Sequence, residues 1–557
     1  MVFLLLSAIC FGGSFCKLPH LGLNGDDAAM LAPMISEPFS DVFHRLMNLF
    51  LHSWEMRPLR VVEHALLYAG YTVFGLSGFF AVQALGLVTI ATVFYYLLRL
   101  KLPPSLSTWP AALLLLYPAD TSFNMAVTLN GRLGVLWALL AVIFLIKGRK
   151  AAAGIMVLIT LLTYEFAITL IPIALFLLNG KWRKRFQIVS IVLVPSVLLY
   201  GFWRFFLAPL YMQDVRANIL AAKSVKGILF HTFTHWYQVP WILLGDAQTT
   251  RFSKFPSFIM LLKEKEVLIG MMAGVIALGC LMGWIHRFLT KEVKTDLPIQ
   301  LSKIGEQGGL AMQVSKESIQ LGWMFLTGFV LMCLPSVFAV WCRAQTGLIN
   351  DTRFNFVYSF GAVMVLTAMI FAIGWWLRKK LLHRMIFFAL VGTYLFLLFG
   401  VRVALMQDYV WAWETEKRIY TQLLRELPEA SDGDQILLEV GDETFDQRRA
   451  AYTLGGPYAR WDHEAVLRLL YNANPKLNFG KGAAIVEDKK AVEVIPLSLD
   501  WQRPCPYILS TDRLHWFYWK DNTLSARLLP SKPRERALSD PSDSRLEKAR
   551  TIFTNQT

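Results

Sequence analysis

The sequence predicts a polytopic α-helical membrane protein with a small α/β domain towards its C-terminus. Of its 557 residues, 55% are hydrophobic and only 17% are charged, and the mean hydropathy is +0.45. Soluble domains carry about 45–50% apolar and 25% charged residues. The apolar residues fall in about eleven segments, the first at 1–16 and the last at 385–405. Many of these segments approach the length of about 20 residues that crosses a hydrocarbon core.

Short clusters of Lys and Arg between the segments predict the orientation. With eleven spans all of them fall on one side, which the positive-inside rule identifies as the cytoplasm. The clusters are Arg99/Lys101, Lys147/Arg149/Lys150, Lys181/Arg183/Lys184/Arg185 and Arg378/Lys379/Lys380/Arg384. We therefore expect a cytoplasmic N-terminus and an extracytoplasmic C-terminus. The same clusters explain the net charge of +15 without a nucleic-acid partner.

Three regions follow from this pattern. Residues 1–405 form the transmembrane module, 406–530 an extracytoplasmic α/β domain, and 531–557 a charged tail that is expected to be disordered. Within the α/β domain, the patterns predict helices at 408–427 and 462–471 and strands at 436–440, 483–486, 491–495, 507–510 and 514–519.

Two parts of the transmembrane module depart from simple spans. The first outer loop is predicted to carry surface helices at 39–54 and from residue 61 to about 76. The segments 151–165 and 166–180 are short for two full crossings, so they are expected to form a hairpin with Glu165 at its outer tip.

The first outer loop opens with two adjacent carboxylates, Asp26 and Asp27, directly after the first apolar segment. Charged groups near a bilayer are costly and usually have a function. The pair can supply a general base for an acceptor hydroxyl. Two alternatives remain open: the pair holds a divalent cation, or Asp27 caps a helix that begins at Ala28.

Arginine residues on the same predicted side are candidates for phosphate binding, because a guanidinium grips phosphate through two parallel hydrogen bonds. Arg57 and Arg60 bracket a proline, and Arg353 lies just before the tenth segment. The alternatives are anchoring at the lipid headgroups for the first two and snorkelling for Arg353.

Four further residues carry ionisable groups at membrane depth or in outer loops. Glu165 has no basic neighbour in sequence and is a catalytic candidate, with a solvated turn or a helix cap as the alternative. Asp120 follows a proline and is more typical of a turn. His231 and His235 have the spacing of two metal ligands on a helix, but the sequence offers no third ligand. We therefore predict no metal site, and any cofactor stays unknown.

In their order along the chain, these features resemble the C-type (GT-C) glycosyltransferases. Four short motifs carry the resemblance: Gly25-Asp26-Asp27, Arg57-Pro58-Leu59, Tyr164-Glu165 and Thr352-Arg353-Phe354. The resemblance implies transfer of a sugar from a polyprenyl-phosphate donor, of the undecaprenyl-phosphate type, to a glycan, lipid or protein acceptor. It also implies that Asp26 or Asp27 is the base, that the arginines hold the donor phosphate, and that transfer inverts the sugar. The membrane that the resemblance implies is the bacterial inner (plasma) membrane.

Two other functions fit the same architecture. A polysaccharide polymerase or ligase also presents arginines on a many-span scaffold, with less reliance on an acidic first loop. A transporter or flippase for lipid-linked glycans is the non-enzymatic alternative, although the sequence shows neither the internal repeats nor the broken midplane helices common in transporters.

Overall fold

The computed structural model is mostly helical. It describes residues 1–23, 27, 30, 31, 34, 35, 37–52, 56–210, 225–291, 316–338, 354–377, 380–440, 459–471, 473, 475–480, 482–486, 491–495, 507–510, 513–520 and 523–527.

The described helices divide into a large N-terminal group and one helix near the C-terminus. In chain order they are α1 (Val2–Ser14), α2 (Phe39–Leu51), α3 (Arg60–Phe74), α4 (Leu76–Arg99), α5 (Pro104–Leu116), α6 (Leu129–Ile146), α7 (Lys150–Tyr164), α8 (Ile173–Leu177), α9 (Trp182–Phe202), α10 (Val225–Trp241), α11 (Ala247–Phe252), α12 (Phe255–Leu261), α13 (Lys265–Lys291), α14 (Lys316–Cys333), α15 (Asn355–Leu377), α16 (Leu381–Glu426) and α17 (Ala459–Tyr471).

In the described part of the chain, eight helices are long and apolar enough to cross a membrane, and the protein is an integral membrane protein. The predicted count of eleven is not established. Two of the predicted spans form shorter apolar helices, α1 and α5, and the predicted span at 166–180 is a 3₁₀ turn followed by the five-residue α8. The orientation of the termini stays a prediction.

The segment that follows α7 returns through the bundle. α7 and α9 run in the same direction, because Ser196 Oγ donates to Gly154 O (3.3 Å) and Tyr200 OH donates to Glu165 Oε1 (3.3 Å). The chain between them must therefore cross back, and Asn179 lies at the far end, where its Oδ1 accepts from Lys101 Nζ (2.6 Å). This geometry agrees with the predicted hairpin and places Glu165 at its turn.

Two neighbouring helices approach each other through glycine. On α14, a Cβ at Gly328 would lie 2.7 Å from Met364 Cβ and 2.9 Å from the carbonyl oxygen of Gly361, both on α15. Only a hydrogen atom fits there, so the two backbones touch. Lipid supplies no hydrophobic driving force between helices, so their association depends on close packing. Small residues at a helix crossing allow the backbones to approach closely enough for it.

The helix α16 extends beyond the predicted last span. It runs through residue 406 without a break, although the sequence predicts a span ending at 405 and a separate helix from 408 to 427. The chain carries neither Gly nor Pro between 401 and 427, and Pro428 follows the end of the helix. The predicted domain division therefore falls inside a helix, and the division itself stays a prediction.

In the described part of the C-terminal region, seven strands form two sheets beside the end of α16. They are β1 (Gln435–Val440), β2 (Lys476–Gly480), β3 (Gly482–Val486), β4 (Ala491–Ile495), β5 (Tyr507–Ser510), β6 (Leu514–Lys520) and β7 (Thr523–Arg527). One sheet has the order β2-β1-β6-β7, with β1 parallel to β2 and β6, and the other is the antiparallel β3-β4-β5. Five strands lie where the sequence predicts them, and β2 and β7 were not predicted. Leu524 N–H donates to Gln422 Oε1 (2.6 Å) and joins β7 to α16.

The glycine contact gives a stability prediction. Gly328→Ala should lower the free energy of unfolding by about 1–3 kcal/mol, because overpacking forces the helices apart. Gly322→Ala on the same helix is the matched control, since nothing lies within 4 Å of a Cβ at that position. The measurement is the thermal midpoint in detergent. Equal midpoints for the two variants would contradict the close approach.

Candidate active site

The centre of the site is residues 117–130, which comprise the irregular segment between α5 and α6 and the first two residues of α6. All fourteen residues are buried, and they form two 3₁₀ turns, Ser122–Asn124 and Ala126–Thr128. Backbone outside helices and sheets must find other hydrogen-bond partners, because a buried polar group left without one is costly in an apolar surrounding.

Three buried arginines bind the carbonyl oxygens of this segment. Arg402 donates to the carbonyls of Asp120 (3.0 Å) and Tyr117 (2.6 Å). Arg251 donates to Ala119 O (3.3 Å), and Arg132 to Phe123 O (3.3 Å). Their charges surround one carboxylate, since Arg132 also pairs with Asp120 (3.2 Å). Burial lowers the pKa of Arg251 to about 10.

Three carboxylates accept the N–H groups of the same segment. Asp120 Oδ1 accepts from Ser122 N (2.8 Å), which forms the turn expected from the sequence. Asp27 Oδ2 and Oδ1 accept from Ala126 N (3.0 Å) and Val127 N (2.8 Å). Glu63 Oε1 accepts from Asn130 N (3.0 Å). The carboxylates of Asp27 and Glu63 thus lie at the N-terminus of α6, where negative charge is favourable.

Asp27 therefore connects the first loop to a turn about one hundred residues later in the chain. It is fully buried, and each of its carboxylate oxygens accepts one backbone hydrogen bond. These bonds give Asp27 a structural role. The only structural role considered from the sequence was a cap for a helix that begins at Ala28. Its partner in the acidic pair, Asp26, lies outside the described residues.

A second charged cluster joins two residues that the sequence selected separately. Arg57 donates through Nε to Glu165 Oε2 (2.9 Å), and its Nη2 lies 2.7 Å from the same oxygen. Arg204 Nη1 lies 3.2 Å from Glu165 Oε1, and Tyr200 OH donates to that oxygen (3.3 Å). The guanidinium of Arg57 also stacks over the Tyr164 ring, 4.8 Å from its centroid. We name Arg57, Glu165 and Arg204 the edge cluster.

The backbone at the edge cluster is unusual in two places. Met56, directly before Arg57, has φ 52°, which is rare for a residue with a side chain, and its carbonyl accepts from Arg204 Nη1 (3.4 Å). Arg204 itself lies in a π-helical turn, Trp203–Leu207, at the end of α9. Strained residues and π turns both occur preferentially at functional sites.

Glu165 and Arg204 of the edge cluster are only partly buried, whereas Arg57 is as deeply buried as Arg402, and the cluster borders an apolar surface. The exposed fractions of its side chains are 5% for Arg57, 17% for Glu165 and 12% for Arg204. In the same stretch of helix, Phe205 and Phe206 are 71% and 66% exposed. Charged groups therefore lie within a few residues of a surface suited to an apolar chain.

The other site residues predicted from the sequence lie outside the edge cluster or outside the described residues. Arg60 pairs with Glu63 on the next helical turn (3.3 Å), which is consistent with a structural role for this arginine. Arg353 lies outside the described residues, and so does the side chain of His231. His235 is buried, with its ring 6.0 Å from the Tyr358 ring. Among the described residues, no three His, Cys, Asp or Glu side chains are grouped to hold a metal ion.

Sequence reasoning missed four arginines of these clusters. Arg132, Arg204 and Arg402 lie inside predicted apolar segments, and Arg251 lies in the second long outer loop. The signal was present for the first three, because an arginine within an apolar segment is by default a functional or structural candidate. Their partners are far away in the chain and are visible only in the fold.

Comparison with known proteins adds two structural neighbours. No protein-family model and no curated protein matches the chain. ArnT from Cupriavidus metallidurans bound to undecaprenyl phosphate is 14% identical with a TM-score of 0.31, and the match covers 88% of this chain and 88% of that chain. Its apo structure is also 14% identical with a TM-score of 0.32, covering 92% and 91%. Scores this low carry no argument, so the proposals below depend on the residues.

The contacts of Asp27 give a prediction that differs from the one expected of a simple helix cap. Asp27→Asn replaces one accepting oxygen with a donor, so one backbone N–H is left facing an N–H₂ group. A buried donor without a partner costs about 1–3 kcal/mol, and the thermal midpoint should fall accordingly. Asp41→Asn, at the start of α2, is the matched control, because its hydrogen bond with Ser40 is exposed. A variant as stable as the control would contradict the tie.

Proposed function

We propose that the protein is a membrane-embedded glycosyltransferase of the C type. It transfers a sugar from a polyprenyl-phosphate donor, of the undecaprenyl-phosphate type, to a glycan, lipid or protein acceptor on the extracytoplasmic face. The observation that carries the proposal is the edge cluster, in which two arginines share one carboxylate beside an exposed apolar helix end. The substrate that fits such a surface has an anionic head and an apolar tail.

The arginines of the edge cluster are the proposed ligands of the donor phosphate. Arg57 is already oriented by Tyr164 and Glu165, and Arg204 by the carbonyl of Met56. Guanidinium groups bind phosphate in a planar, two-bond geometry that lysine does not reproduce. The exposed Phe205 and Phe206 are proposed to contact the first isoprene units. Arg353 is proposed to assist from the start of α15.

The acidic pair divides into two roles in this proposal. Asp27 fixes the loop, because both of its oxygens accept backbone hydrogen bonds. Asp26, its neighbour in sequence, is proposed as the base that receives the proton of the acceptor hydroxyl. The acceptor oxygen then attacks the anomeric carbon, and the bond from that carbon to the phosphate oxygen breaks. The phosphate oxygen keeps the electron pair, and the arginines stabilise its charge. One displacement inverts the anomeric centre.

The base is tested by an amide substitution. Asp26→Asn should lower turnover by about 10²–10⁴-fold, the usual contribution of a general base, while the thermal midpoint stays at the wild-type value. The assay incubates proteoliposomes with a panel of short-chain prenyl-phosphate hexoses and a lipid and glycan extract of the cell envelope as acceptor, and it measures release of prenyl phosphate by mass spectrometry. Full activity of this variant would remove Asp26 from the mechanism. Binding of the panel without any sugar release would instead favour a flippase.

The phosphate ligands are tested by charge-conserving substitution. Arg57→Lys keeps the positive charge but loses the two-bond geometry, so we expect turnover to fall by about tenfold or more. Arg45→Lys is the control, because Arg45 also pairs with a carboxylate, Glu37, but on an exposed part of the first loop. If both variants keep wild-type turnover in the same assay, Arg57 is an anchor and does not bind phosphate.

A further inference from the structure

The carboxylate of Glu165 lies between the two arginines, where the donor phosphate is proposed to bind. Its presence there requires a separate explanation. Its two oxygens occupy both arginines, Oε2 on Arg57 (2.7 Å) and Oε1 on Arg204 (3.2 Å). A carboxylate in that position repels any anion that approaches the same guanidinium groups. An enzyme that only had to bind phosphate tightly would do better with a neutral side chain there.

The charge of the cluster suggests what the carboxylate does. The two guanidinium groups and one carboxylate of the edge cluster together carry one net positive charge. A prenyl-phosphate sugar is a phosphodiester and carries one negative charge. The prenyl phosphate left after transfer is a monoester, which carries about two negative charges above its second pKa of about 6. Glu165 therefore lowers the positive charge that a ligand meets at these arginines, and it opposes the dianionic product more than the monoanionic donor, whether or not Arg353 adds a further charge.

We propose that Glu165 is a charge-matching residue, which sets the edge cluster to prefer the monoanionic phosphodiester of a lipid-linked donor and to release the dianionic prenyl monophosphate. This inference rests on the proposed function, because the two ligands are its donor and its product. During transfer the bond between the sugar and the phosphate oxygen breaks, and that oxygen keeps the electron pair. The repulsion from Glu165 grows at that moment and aids departure of the product.

Coulomb's law makes the proposal quantitative. The interaction of Glu165 with a ligand scales with the ligand charge, so its effect on the dianion is about twice its effect on the monoanion in free energy. The fold-change for the monoester is then about the square of the fold-change for the diester. If removal of the charge tightens the diester about fivefold, the monoester should tighten about 25-fold.

The test measures binding of two probes to the purified full chain in detergent at pH 8. The probes are farnesyl phosphate, a monoester, and farnesyl methyl phosphate, a diester of the same chain. Glu165→Gln keeps the shape and one accepting oxygen, so the arginines stay oriented. We expect tighter binding of both probes, with the larger gain for the monoester. Glu37→Gln, which removes a carboxylate paired with Arg45 on an exposed surface, should change neither.

A second substitution, which removes a positive charge instead of a negative one, keeps the test decisive if Glu165→Gln fails to fold. Arg204→Gln removes one positive charge, so it should weaken the monoester by about the square of the factor for the diester. Equal fold-changes for the two probes in either variant would overturn the proposal and leave Glu165 as a residue that only positions the arginines. Unchanged binding of both probes would show that the phosphate binds elsewhere, which also overturns it.

The outcomes separate this inference from the proposed function. If the two probes are discriminated as expected but no sugar is ever released from the hexose panel, the edge cluster is a charge-matched lipid-phosphate site and the transferase proposal fails. If transfer depends on Asp26 but Glu165→Gln does not discriminate the probes, the transferase proposal stands and only the role of Glu165 is wrong. A turnover readout completes the test, because Glu165→Gln should show stronger inhibition by farnesyl phosphate.

Discussion

The architecture depends on the hydrogen bonding of one buried, irregular segment, residues 117–130. Its carbonyl oxygens accept from Arg402, Arg251 and Arg132, and its N–H groups donate to Asp27 and Glu63. An unsatisfied backbone group in an apolar surrounding costs several kcal/mol. The fold itself therefore requires charged side chains around residues 117–130. These side chains bring the first loop, α6, α11 and α16 together at one end of the bundle.

This requirement separates the scaffold from the site. The arginines around 117–130 are buried and bound to carbonyl oxygens, so their hydrogen bonds serve the backbone. Arg57 and Arg204 instead share the carboxylate of Glu165, which is partly exposed, as Arg204 is, and an apolar surface lies beside them. A ligand anion can compete with a carboxylate at a partly exposed edge far more easily than with several buried backbone bonds. The edge cluster is for that reason the proposed place of the phosphate.

Much of the fold follows from local pattern. Eight of the predicted apolar segments form candidate spans, and the strand 491–495 has the predicted ends, because hydrophobic periodicity and length are properties of neighbouring residues. The helix does not end with the predicted last span, since charged residues after 405 continue it to Glu426. Membrane length predicts where lipid ends, but a helix can continue beyond that point.

The site could be predicted only in part, because its contacts join residues that are far apart in the chain. Sequence reasoning selected Arg57 and Glu165 by residue type and depth, but it found no basic partner for Glu165, because Arg57 lies 108 residues away. It treated Asp27 as a base or a local cap, whereas its described partners are Ala126 and Val127, contacts that exist only after folding. Arg204 was overlooked because one charge hardly changes the hydropathy of its segment.

The most direct measurement is an electron cryo-microscopy structure of the full chain with farnesyl phosphate bound. The account predicts the phosphate in hydrogen-bond contact with both Arg57 and Arg204, at about 2.7–2.9 Å, with Glu165 displaced and residues 117–130 unchanged. A phosphate bound instead to Arg132, Arg251 or Arg402, with the carbonyls of 117–130 released, would contradict the division between scaffold and site.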